Sequence, residues 1–207
     1  MRNKFICNNP LVAHKLAFIR NKDTQTKVFR ETISEIGALL TYEVAKTFKT
    51  KVVDIQTPLA YTKCNVLEKG IVIVPILRAG LGMVEGIHNM IPQAKIGHIG
   101  LYRRDDLSIA TYFEKLPYDI SKSVVLLVDP MLATGASAVS AIDILKSHQA
   151  TEIIFVGLVG CPQGIKTLHD AHPDVDIYLA ACDEILDKNG YIIPGLGDCG
   201  DRIFGTK

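Results

Sequence analysis

A chain of 207 residues, 48% hydrophobic and 22% charged, holds enough apolar mass to bury a substantial core, which predicts one α/β domain over residues 1–207 and excludes bulk disorder. Its 23 basic against 22 acidic residues leave a formal net charge of +1, which gives no global footprint for nucleic acid or an anionic membrane, so any anion site must be local. The cysteines Cys7, Cys64, Cys161, Cys182 and Cys199 never form a Cys-x-x-Cys pair, which argues against a disulfide framework or zinc site and fits a reducing cytoplasm; no apolar run suits a signal peptide or a bilayer span.

Leu11 to Arg20, with Leu11, Val12, Leu16 and Ile19 at helical spacing, predicts a short amphipathic helix. A second helix, capped by Asp23 or Thr24, is expected to continue to about Lys49 with Val28, Ile33, Ile36, Leu40, Val44 and Phe48 as its apolar stripe. Lys51 to Ile55 and Leu59 to Tyr61 read as short strands around Pro58, a small β-arm without chemistry. Ile71 to Pro75 has the composition of a strand buried on both faces, and it runs through Ile76-Leu77-Arg78-Ala79-Gly80-Leu81-Gly82-Met83 into a helix ending near Asn89. In that turn Arg78 offers paired donors suited to a phosphate; an ordinary connection with a surface arginine fits the pattern equally well.

Ile96 to Leu101 predicts the next strand. The polar connection from Tyr102 to about Lys122, with Arg103 and Arg104, has the length of a lid or binding loop; a β-arm with exposed arginines is the plainer alternative. Ser123 to Val128 is again a buried strand, and Val139, Ile142 and Leu145 lie along one helical face. Between them a turn with one acid, one glycine and two hydroxyls leads to a helix N-terminus, where free backbone N–H groups can hold a phosphate. Glu152 to Gly160 and Val175 to Ala180 are further strands, with Pro162 placed to open a helix.

The alternation predicts a mostly parallel central sheet with helices on both faces and ligands gathered at the carboxyl ends of its strands. Arg78, Arg103 and Asp129 all fall just beyond such ends. The closing segment, Tyr191 to Lys207, is too rich in Gly and Pro for a regular element. It keeps Ile192, Ile193, Leu196, Ile203 and Phe204, enough to tie it to the core as a loop whose backbone groups can read the edge of a flat heterocycle, rather than leave it a frayed tail.

No Ser-His or Cys-His constellation is evident, Thr134-Gly135-Ala136-Ser137 lacks the Gly-Lys ending of a Walker A loop, and no Gly-x-Gly-x-x-Gly follows an early strand. What remains is group transfer from a multiply phosphorylated sugar. Three stretches then resemble the uracil phosphoribosyltransferases: Asp129-Pro130-Met131-Leu132-Ala133-Thr134-Gly135, Val74 to Met83, and Tyr191-Ile192-Ile193-Pro194-Gly195-Leu196-Gly197-Asp198. The first marks the wider type I phosphoribosyltransferase group, and the third points to uracil. The likeness covers effectively the whole chain.

The resemblance implies a type I phosphoribosyltransferase fold with a C-terminal base-binding hood. It also implies transfer of the 5-phosphoribosyl group from 5-phosphoribosyl 1-pyrophosphate to N1 of uracil, giving UMP and pyrophosphate in pyrimidine salvage. By position, Asp129, Pro130, Met131, Leu132, Ala133, Thr134, Gly135, Ala136 and Ser137 would hold the ribose and its 5-phosphate, and Arg78 and Arg103 the pyrophosphate. Ile192, Gly197, Asp198 and Cys199 would border uracil, Asp198 also facing the sugar donor, while Asp129, Arg78 and Arg103 would act on the breaking bond. Mg2+ is expected through substrate oxygens and water, with no protein ligand directly predicted. A homodimer or higher homo-oligomer is implied, and a purine nucleotide effector, GTP, stays open.

A pyrimidine-responsive RNA-binding regulator of the same fold is the competing reading, and the near-neutral charge offers it no support, so no nucleic-acid partner is expected. Ala136 stands where the family usually has glycine, and a helical backbone is expected there. Cys199 replaces the more usual alanine, as either a reactive thiol at the site or a small buried residue with an inert one. His169 and His172 lack the further ligands a metal pair needs.

Overall fold

The structure, a computed structural model, describes residues 4–103 and 109–206. In chain order the elements are β1 (Lys4–Ile6), α1 (Pro10–Arg20), α2 (Thr26–Ala45), β2 (Thr50–Gln56), β3 (Tyr61–Leu67), β4 (Ile71–Leu77), α3 (Leu81–Met90), β5 (Lys95–Ile96), β6 (His98–Arg103) and β7 (Ile109–Lys115). There follow β8 (Val124–Val128), β9 (Met131–Leu132), α4 (Ala136–Ser147), β10 (Glu152–Gly160), α5 (Pro162–Ala171), β11 (Asp176–Cys182), β12 (Ile185–Leu186), β13 (Ile192–Ile193) and α6 (Cys199–Phe204).

The main sheet has the order β1-β11-β10-β8-β4-β6-β7, parallel throughout except that β7 runs against β6. Its central strands are apolar on both faces because both are covered. Ile71 and Ile73 of β4, and Leu126 and Val128 of β8, pack beneath α1, α2 and α3; Val72, Val74, Val125 and Leu127, one residue out of phase, pack beneath α4 and α5. From β4 the chain moves outward to β6, and from β8 it moves the other way to β10, so the strand order reverses between β4 and β8. The crevice beyond their carboxyl ends is the expected ligand position for such a sheet.

Several sequence expectations need correction. The cap at Asp23 or Thr24 does not form: Gln25 precedes α2 without a capping side chain, and the Thr24 hydroxyl instead donates to the Phe18 carbonyl at 2.6 Å. The helix stops at Ala45, short of Lys49, and its buried face turns on Phe29 while Val28 is exposed. The arm is a longer antiparallel hairpin than expected, β2 with β3, with Leu59 at its tip. The polar connection after Leu101 contains β7, which completes the sheet edge; residues 104–108, and so Arg104, lie outside the described residues. Finally, the closing segment does hold regular structure: β13 pairs with β12 in a small hairpin and α6 follows, because Asp198 supplies an N-cap that Gly and Pro content concealed. No helix among the described residues is long and apolar enough to cross a membrane.

Candidate active site

At the end of β4 the chain turns sharply through Arg78, Ala79 and Gly80, and the Leu77–Arg78 peptide bond is cis. A Cβ on Gly80 would stand 2.4 Å from the Val128 carbonyl oxygen, so glycine is what lets this turn lie directly on the end of β8. The exposed Arg78 side chain reaches toward α6, with Nη2 3.6 Å from Asp201 Oδ1 and the guanidinium carbon 5.8 Å from the Phe204 ring centre.

At the end of β8, the loop from Asp129 to Ser137, all but Pro130 and Ala136, lines one side of a cavity of about 120 Å3 that Ala138 and Gly190 also line. Gly135 has φ +86°, a left-handed conformation that the next residue does not share: Ala136 opens α4 with a helical backbone, which removes the strain its methyl group would otherwise cause. The floor is α5, where a Cβ on Gly164 would lie 2.4 Å from the carbonyl oxygens of both Leu132 and Ala133. The Cys161 thiol donates to the Ala133 carbonyl at 3.1 Å, bracing the loop from below. The amides of the first turn of α4, which lack intrahelical partners, face the same end of the sheet as this loop.

Burial pushes the Asp129 carboxyl up to about 7, and its backbone partner, the Met131 N–H at 3.5 Å from Oδ1, offsets this only weakly. A positive charge brought beside this carboxyl would favour its ionised form. Among the described residues no group of three His, Cys, Asp or Glu side chains could hold a metal ion. His172, one half of the rejected pair, has its Nδ1 3.1 Å from Lys146 Nζ.

The C-terminal residues close over the crevice. Ile192 and Leu196 are buried in the core beneath α1 and α2, Gly197 has φ +73°, and Asp198 accepts the Asp201 N–H at 2.9 Å as the cap of α6. Cys199 is 4% exposed, and burial, reinforced by the Asp129 carboxylate, holds its thiol well above the ordinary cysteine range. Burial of this kind favours the small buried thiol over the reactive one. The structure thus brings the Asp129 loop, Cys199 and Gly190 together, with Arg78 at the adjoining strand end. The backbone of Arg103 ends β6 opposite Ile109, and its side chain lies outside the described residues. Sequence reasoning missed Gly190, Arg20, Asp183 and Arg202, whose contacts join residues far apart in the chain with no local pattern to announce them.

The sheet whose strand order reverses beside this acid-led loop has the fold of the type I phosphoribosyltransferases. The fold matches a solved hypoxanthine-guanine phosphoribosyltransferase from Bacillus anthracis with a TM-score of 0.51 at 13% identity, covering 77% of this chain and 80% of that one. The chain belongs to the uracil phosphoribosyltransferase family, whose sequence profile matches residues 6–206. It is 60% identical to the uracil phosphoribosyltransferase of Acholeplasma laidlawii over 203 residues, 98% of each chain. It also superposes on a solved protein from Aquifex aeolicus with a TM-score of 0.94 at 34% identity, covering 99% of both.

Proposed function

We propose that this chain, acting as one domain over residues 1–207, transfers the 5-phosphoribosyl group of 5-phosphoribosyl 1-pyrophosphate to N1 of uracil, releasing pyrophosphate and UMP. The observation that carries the reading is that Gly190 of the hood lines the same cavity as Asp129 to Ser137, while Cys199 lies close enough to Asp129 to feel its charge. A base under the hood then meets a sugar held by the loop.

In this reading the loop's amides and the hydroxyls of Thr134 and Ser137 hold the 5-phosphate, and Ile192, Gly197, Asp198 and Cys199 border the base. Arg78 and Arg103 face the pyrophosphate, whose charge grows as the anomeric bond breaks, so fixed cations there favour the transition state over the ground state. The Arg78–Asp201 pair is exposed and weak, and Arg78 exchanges it for a phosphate at small cost. Asp129 counters positive charge developing on the ribose ring, and that charge in turn favours its ionised form. Mg2+ would be held beside Asp129 mainly through phosphate and water oxygens, and would supply neutralisation of charge on the leaving group. A backbone lining that matches uracil leaves buried groups unpaired with cytosine, a mismatch worth up to about four orders of magnitude.

The exposed Val52, Leu59 and Tyr61 of the arm support a homodimer or higher homo-oligomer, and five free thiols support a reducing, cytoplasmic setting. Incubating the purified chain with labelled uracil, the sugar donor and Mg2+ tests the reading, with GTP added in a parallel arm. UMP formation is expected; its absence alongside nucleotide-dependent retention of RNA would favour a regulator.

A further inference from the structure

The hood stands apart from the main sheet: β12 and β13 pair only with each other, and the residues after them form no ladder. What fixes it is the end of α1. Arg20 grips Asp183 with both terminal nitrogens, each at 2.7 Å from one carboxylate oxygen, and Nη1 also donates to the Gly195 carbonyl at 3.1 Å. The Gly195 N–H donates back to Asp183 Oδ2 at 2.9 Å, so one residue of the base loop is held at both its backbone groups. Arg202 adds a second tie, with Nη1 donating to the carbonyls of Ile19 at 2.6 Å and Leu196 at 2.8 Å, and Nη2 to that of Asn21 at 2.6 Å.

Gly195 in turn fixes its neighbours. Its φ is +56°, and a Cβ on it would lie 2.0 Å from the Ile192 carbonyl oxygen, so the Gly195 backbone lies directly against that of Ile192. A Cβ built on Gly197, one residue past the carbonyl that Arg202 holds, would meet nothing nearer than Arg202 Cδ at 3.9 Å. Gly197 thus lies between Leu196, whose carbonyl Arg202 holds, and the capping residue Asp198, with room on its Cβ side. Asp183 is 8% exposed; burial alone would raise its carboxyl, yet the Arg20 fork and the Gly195 N–H hold it below the ordinary range.

We infer that Arg20 and Asp183 are positioning residues for the base: through Gly195 they set the placement of Ile192 and Gly197, so the affinity for uracil depends on how α1 docks. This rests on the proposed reaction. A two-point fork defines a plane as well as a distance, which lysine in place of arginine cannot do. The hydrogen bonds of the pair run between its members and to Gly195 of the base loop, so the two substrates should respond differently.

The test is steady-state kinetics of Asp183→Asn and Arg20→Lys with each substrate varied in turn. Expected is a KM for uracil raised about ten- to hundredfold, the worth of one hydrogen bond to a charged group, with the KM for the sugar donor and kcat within about threefold of wild type. Equal effects on both substrates, a loss confined to kcat, or no effect at all would overturn the inference while leaving the reaction standing. If Asp183→Asn does not fold, Arg20→Lys decides; unfolding of both assigns the pair to folding and also overturns it. Wild-type protein that makes no UMP refutes the reaction itself, a result read before either variant is assayed.

Discussion

Asp129→Asn should make the substrate-free protein more stable and the enzyme worse. The carboxyl is raised from 3.8 to about 7 because folding buries it without an adequate partner. The folded chain therefore holds a proton that the unfolded chain has released between about pH 4 and pH 7, so stability falls as pH rises through that window and stays low above it. At 1.36 kcal/mol per pH unit the whole span is worth about 4 kcal/mol, and the solvent that reaches the half-buried loop trims this to about 2–4 kcal/mol. Urea unfolding of wild type and Asp129→Asn, without substrate, reads the effect directly. The variant should exceed wild type by about 2–4 kcal/mol near pH 8, with the gap narrowing by at least about 1 kcal/mol near pH 5. Turnover should drop about a hundredfold, as when one preorganised electrostatic group is removed from a site. Parallel pH profiles for the two proteins would refute the reasoning, since Asp129 would then not be the group whose ionisation burial opposes.

Three further outcomes are expected. Gly86→Ala places a methyl carbon 1.8 Å from the Ser34 carbonyl oxygen, so α2 and α3 must separate and thermal unfolding should show a loss of about 3 kcal/mol; an unchanged Tm would refute the closeness of that crossing. Brief alkylation of the native protein, followed by peptide mapping, should modify Cys64 on the arm before Cys199, and Cys199→Ala should stay active; rapid Cys199 labelling would contradict its burial. Ala136→Gly should lower stability by about 0.5–1 kcal/mol and leave the sugar-donor KM within about twofold, because the alanine is already helical; a large gain in affinity would mean that the loop is strained.

The parallel sheet was legible because its strands announce themselves: Val124 to Val128 is apolar on both faces, and it, like Ile71 to Leu77, leads into a glycine-bearing turn. The Asp129 loop was legible for the same reason, since a strand, a turn and a helix occur within one contiguous stretch. The hood was legible in composition but not in form. Its helix depends on one capping aspartate, and its placement on Arg20 and Asp183, which lie 163 residues apart. No periodicity encodes a contact of that range. The start of α2 failed differently: Asp23 and Thr24 are good capping types, but the Thr24 hydroxyl closes the turn after α1 instead, so tertiary context outweighed local propensity.

A strand of three residues guards the flank of the sheet. β1 contributes only Lys4, Phe5 and Ile6, yet it occupies the outer side of β11 in register with Ile177, Tyr178 and Leu179, and the Phe5 and Tyr178 rings sit 5.1 Å apart. Without those three residues, an apolar strand of seven would offer a bare row of backbone donors and acceptors to any passing chain. A protease nick or fusion junction placed after Ile6 would therefore act on solubility, inviting edge-to-edge stacking between molecules whose crevices are otherwise intact.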